Sequence, residues 1–100
     1  MSEPTNIALP EAARGVLFAI AEAIARDGDV LARQVRVARA VAVSPTYVEI
    51  DIPPGCALGS WPDGPLSPSP TLVDSAGQAV GSVLAWVSGG KLTLLEQTWY

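Results

Sequence analysis

Apolar side chains at Ala13, Val16, Leu17, Ile20 and Ile24 recur at steps of three and four, which lines them along one face of an α-helix. Pro10 suits the first helical position, Glu11 behind it complements the helix dipole, and Gly28 is a natural terminator. The pattern therefore predicts an amphipathic helix over residues 10–27, preceded by a polar, flexible lead over residues 1–9. From Tyr47 to Ile52 the period changes to two: Val48, Ile50 and Ile52 fall on one side and Tyr47, Glu49 and Asp51 on the other, as in a strand with one buried face. The stretch between is ambiguous. Val30, Leu31, Gln34, Val35, Ala38 and Val41 fit a helix, whereas Val35, Val37, Val41 and Val43 fit a strand with Arg39 breaking the parity. The reading adopted is a helical turn over residues 29–34 and a strand over residues 36–43, paired antiparallel with the Tyr47 strand through Ser44–Thr46.

Residues 53–70 hold six of the nine prolines and three glycines, together with Cys56, Trp61 and Asp63-Gly64. This composition predicts a long irregular loop, and loops of that length are usually functional or disordered. Thr71–Asp74 reads as a short strand before a turn at Ser75–Gly77. Two apolar, β-branched and aromatic runs then flank Gly89-Gly90, whose residues take positive φ at no steric cost, so residues 79–87 and 91–99 form a hairpin. A helix followed by antiparallel strands is the order of an α+β domain. The expected architecture is one domain over residues 1–100, with the N-terminal helix packed on a mainly antiparallel four- to five-stranded sheet.

Composition narrows the function classes. The chain has no histidine and one cysteine, Cys56, which removes the usual neutral-pH base, the commonest zinc ligand and any intrachain disulfide. No metal site, cofactor or catalytic residue is expected, and a reducing, cytoplasmic setting fits the single thiol. A net charge of −4 and a pI near 4.5 argue against nucleic acid, whose binding depends on clustered Lys and Arg. No stretch of eighteen apolar residues is present to span a membrane. Gly15–Ala25 loosely resembles a signal-peptide core, but Glu22 interrupts it and Glu3 and Glu11 make its lead acidic, so it reads as the amphipathic helix.

The C-terminal pattern Gly77-x-x-x-Gly81-x-x-x-x-Trp86-Val87-x-x-Gly90-x-Leu92-x-x-Leu95-Glu96-x-x-Trp99-Tyr100 resembles that of a small, mostly actinobacterial family of uncharacterised proteins. Upstream, Leu31-x-x-Gln34-Val35-x-x-Ala38-Arg39 and Pro45-Thr46-x-x-Glu49-Ile50 are similar to the middle section of the same family. The resemblance covers about two-thirds of the chain, specifies a hairpin more than a reaction, and implies no activity. Some relatives carry cysteines in the connection matching Ala42–Pro45; their absence here argues against a metal role.

Several side chains invite a functional reading. Arg33, Arg36 and Arg39, with no acidic residue between Val30 and Val48, could hold an anionic ligand through bidentate contacts, although a strand would send Arg36 and Arg39 to opposite faces. Glu96 in an apolar strand could act as an acid or base, or simply face outward. Glu49 and Asp51 share a strand face but lack the further oxygens that a hard cation needs. Cys56 and the loop serines Ser60, Ser67 and Ser69 have no base to activate them. Trp61 in the proline-rich loop suits a partner's pocket or its own domain's core. Trp86, Trp99 and Tyr100 lie on the hairpin, where cross-strand packing accounts for them and an interface would use them.

These features favour a non-enzymatic protein-interaction domain, with a small-ligand or anion-binding domain using Arg33, Arg36 and Arg39 as the alternative, and an immunity- or antitoxin-like protein as another. A homodimer formed through the face or edge of the terminal hairpin is also expected. The hairpin strands carry apolar residues at both parities, so one face can meet the helix while the other needs cover.

Overall fold

Helix α1 spans Glu11–Ala23, and the predicted stripe supplies its buried residues Ala13, Leu17 and Ile20, joined by Ala21. It ends short of the predicted boundary, because Ile24 turns extended (φ −73, ψ 147) and Asp27 is left-handed (φ 58). Gly28 does not terminate this helix. It opens helix α2, Gly28–Val37, where a side chain would collide with the Ala21 carbonyl, so glycine lets the start of α2 lie directly against the end of α1. The computed structural model describes residues 7–100.

Helix α2 corrects the expectation of a short turn followed by a strand from residue 36. Leu31, Gln34 and Val35 are buried on one helical face, and Ala38 is buried just beyond it. The β-branched residues 35–43 favour a strand locally, but burial of that face against α1 and the sheet overrides the preference.

Seven strands follow along the described residues: β1 Ile7–Ala8, β2 Arg39–Val43, β3 Tyr47–Asp51, β4 Gly64–Pro65, β5 Thr71–Val73, β6 Ala79–Ser88 and β7 Lys91–Trp99. They form one sheet in the order β1-β2-β3-β7-β6-β4, with β5 also on β6, and every pair is antiparallel. The α+β class is as expected, with a larger sheet. Two of the additional strands have only two residues each. β1 replaces part of the expected flexible lead: Ile7 pairs with Ala40, and Leu9 enters the core. The rest of that lead, residues 1–6, lies outside the described residues.

The β2–β3 connection forms as the sequence suggests. The Ser44 hydroxyl accepts from the Thr46 and Tyr47 amides at 3.3 and 3.2 Å, and the Ser44 amide donates to the Tyr47 carbonyl at 2.8 Å. On β3, Val48 and Ile50 point inward and Tyr47, Glu49 and Asp51 outward, with Ile52 buried next in line. The long hairpin β6–β7 turns through Gly89 (φ 60) and Gly90 (φ 77), the left-handed pair that a tight hairpin requires.

Leu17, Ile20, Leu31 and Val35 of the helices share one core with Val48, Ile50, Val83, Ala85, Leu92 and Leu95 of the sheet. The registers put all these sheet residues on one side, with the irregularity between Leu92 and Leu94 bringing Leu92 to the side of Leu95, so both helices cover one face. The molecule is accordingly a slab, 42 × 37 × 21 Å, whose thin dimension is a helix layer on a sheet layer.

Candidate functional site: the open face of the sheet

Residues 53–70 are a fastened belt, not a free loop. Gln34, fully buried on α2, donates from Nε2 to the carbonyls of Ala57 (2.9 Å) and Gly90 (2.8 Å) and accepts from the Leu92 amide at Oε1 (2.9 Å). The belt is held further by Gly59 N–H to the Gly90 carbonyl, by Gly89 N–H to the Asp63 carboxylate, and by β4 against β6. One buried amide thus joins helix, belt and hairpin turn. Its sequence signal was its place among apolar residues at helical spacing.

Trp61 belongs to this structure. Its ring is buried in the core and its Nε1–H donates to the Arg26 carbonyl at 2.8 Å, satisfying the indole's polar end. Of its two sequence readings the structure takes the second. The side chain caps its own domain and offers no exposed surface to a partner.

Beside it, the Ser60 hydroxyl and amide donate to Asp27 Oδ2 at 2.7 and 2.9 Å. The hydroxyl first, then the amide, hold the Asp27 carboxyl below its ordinary 3.8. A carboxylate whose folded value is depressed contributes stability above its unfolded value and loses it as the pH falls through the folded one. In urea melts across the acid range, Asp27→Asn is expected to lose less stability than the parent as the pH drops. Equal acid limbs for the two proteins would remove Asp27 as a source of the acid sensitivity.

The arginines do not converge. Arg33 and Arg36 are exposed on α2 in the helix layer, while Arg39 is on β2 opposite Asp51, whose parity places it on the helix-free face. No more than one of Arg33, Arg36, Arg39 and Glu96 lines any of three surface clefts. A cleft of about 370 Å³ between the helices includes Arg36 together with Glu22 and Asp29. Another of about 250 Å³, between α1 and the β2–β3 turn, is lined by Val16, Val43, Leu72 and Val83 and by no charged residue. The third, about 280 Å³, lies beside Trp61.

The helix-free face gathers most of the remaining candidates. Registers place Glu49, Leu94 and Trp86 side by side across β3, β7 and β6, with Pro65 of β4 beyond. The next row holds Tyr47, Glu96 and Leu84. The indole Nε1–H of Trp86 donates to Glu96 Oε1 at 3.1 Å, which accounts for a carboxylate next to Leu94 and Leu95: Glu96 faces outward and is oriented by Trp86. At the far end, Ser82 and Thr98 hydroxyls pair at 3.0 Å. Leu84, Trp86 and Leu94 are half-buried by their neighbours alone, and Tyr47 is exposed. Trp99 and Tyr100, at the end of the hairpin, are 60% and 80% exposed.

Leu84 and Leu94 carry no distinguishing signal in the sequence, since apolar residues at both parities of a strand do not reveal which side the helices cover. Cys56 is a free, half-buried thiol. Among the described residues, no group of three His, Cys, Asp or Glu side chains could hold a metal ion, and no helix is long and apolar enough to cross a membrane. No protein-family profile, curated protein or solved structure matches the chain.

Proposed function

We propose that this chain is a non-enzymatic protein-interaction domain that works in the cytoplasm and binds through the helix-free face of its sheet. One observation carries the reading. Leu84, Trp86, Leu94 and Tyr47 form an apolar centre on a broad face that no element among the described residues covers, and contiguous apolar surface of this kind marks interaction sites. Aromatic anchors surrounded by aliphatic contacts are also the composition of binding hot spots. The bound protein is another copy of the chain or a different polypeptide; an immunity- or antitoxin-like role would use such a face in the second way.

The test is retention on tagged bait. The tagged parent, incubated with a native lysate and with added untagged chain, is expected to retain a protein that tagged Leu84→Lys does not. Identical retention by the two baits would overturn the assignment of this face.

A further inference from the structure

We infer that the partner on this face is a second copy of the chain, docked sheet to sheet by a two-fold axis to give a four-layer helix–sheet–sheet–helix dimer. The inference rests on the interaction reading above and adds the identity and geometry of the partner.

The edges of the sheet point to the face as the contact. The free side of β6 is already occupied along its length: Leu66 N–H reaches the Ala85 carbonyl and Val83 N–H the Pro70 carbonyl, between β4 paired at Trp86–Val87 and β5 paired at Ala79–Ser82. On the opposite side β1 pairs with the first two residues of β2. Strand addition along β6 therefore has no open backbone to use, and on β2 only the short stretch Val41–Val43 is left beyond β1, so the face is the larger surface on offer.

Size fits a stable dimer. Strands about 4.8 Å apart with residues about 3.4 Å apart give the short columns β2, β3 and β4 with β5 and the long columns β7 and β6 a flat outline of roughly 550 Å². Side chains standing on it raise the accessible area toward the roughly 600–800 Å² per partner of small to standard interfaces. Two such sheets pack about 10 Å apart with interdigitating side chains, and the slab's 21 Å thickness has no third layer of its own to do this.

The charges favour self-pairing over a strongly charged partner. Tyr47, Leu84, Trp86 and Leu94 supply the apolar area of the centre; of the two carboxylates beside them, Glu96 already accepts from the Trp86 indole and Glu49 flanks Leu94. Toward the margin both signs occur, Arg39 opposite Asp51 and Lys91 opposite Ser88. A face without a dominant sign selects a partner of like composition, and an isologous contact presents that same composition. A half-apolar chain of 100 residues with sixteen charged side chains has further reason to bury surface by association.

Sedimentation equilibrium of the untagged chain over the micromolar range tests this. The parent should give twice the 10.4 kDa chain mass. Leu84→Lys and, independently, Tyr47→Lys should each give the single-chain mass while keeping the parent's circular dichroism. Tyr47 is exposed, so its substitution keeps the test open if Leu84→Lys fails to fold. Val37→Lys, at an exposed position on α2, should remain dimeric. A parent at the single-chain mass throughout would overturn the dimer, and the retention experiment then decides separately whether the face binds another protein. A dimer that survives Tyr47→Lys but dissociates with Val37→Lys would move the contact to the helix layer and overturn the proposed geometry.

Discussion

Trp61→Ala is expected to destabilise the domain by about 3–5 kcal/mol, the range for removing a buried large aromatic. The indole is packed in the main core beside Leu66 and the helices, and its Nε1–H satisfies the Arg26 carbonyl at the link between α1 and α2. Truncation leaves a cavity and removes a hydrogen bond together. Trp61→Phe separates the two effects: it retains most of the apolar bulk and should recover the larger part of the loss, leaving a deficit of about 1 kcal/mol for the missing donor together with residual packing change. Urea melts of both variants give the answer. An alanine variant within 1 kcal/mol of the parent would mean that Trp61 contributes little to holding the belt on the core.

Gln34→Ala should cost about 2–4 kcal/mol, since a buried amide left without its partner is penalised by 1–3 kcal/mol in addition to lost packing. The Leu92 amide is the group at stake, because it donates to Gln34 Oε1. The Gly90 carbonyl retains a second donor, Gly59 N–H. Gln34→Glu discriminates further: a carboxylate still accepts from Leu92 but cannot donate to Ala57 and Gly90, so it should destabilise above the carboxylate range and recover as the acid protonates. Hydrogen exchange at Leu92 provides the local readout, with faster exchange expected in Gln34→Ala. Unchanged protection there would show that another group takes over the bond.

The elements legible in the sequence are those whose pattern is sufficient by itself. The alternation at Tyr47–Ile52 placed every side chain on its observed side, Gly89-Gly90 located the hairpin turn, and the helical stripe identified Ala13, Leu17 and Ile20 as buried. The helical turn expected over residues 29–34 is part of α2, but the expected strand begins too early, at residue 36 instead of Arg39, because Val35, Val37, Val41 and Val43 favour a strand locally. Only packing of Leu31, Gln34 and Val35 against elements distant in sequence decides for the helix. The belt was unreadable for a similar reason. Its order comes from bonds to Gln34, Arg26, Asp27 and Gly90, none of which neighbours it along the chain. Of the functional candidates, the hairpin's apolar residues at both parities announced an uncovered face. They do not tell that Trp86 and Glu96 share it, and a tryptophan in a proline-rich segment suits a partner or its own core equally; only the packing of Trp61 in the core decides.

The Gln34 contacts have a consequence for the order of assembly. They join partners 23, 56 and 58 residues apart, so none can form until the chain has closed long loops, the slow and entropically costly part of folding. A nascent chain that has made both helices but has not yet emerged through Leu92 holds an amide with neither the Gly90 carbonyl nor the Leu92 amide to meet it. Burying that amide early is penalised, which works against premature collapse of the helix pair onto itself. The same side chain that rigidifies the finished domain thus makes the compact state depend on the arrival of the last hairpin.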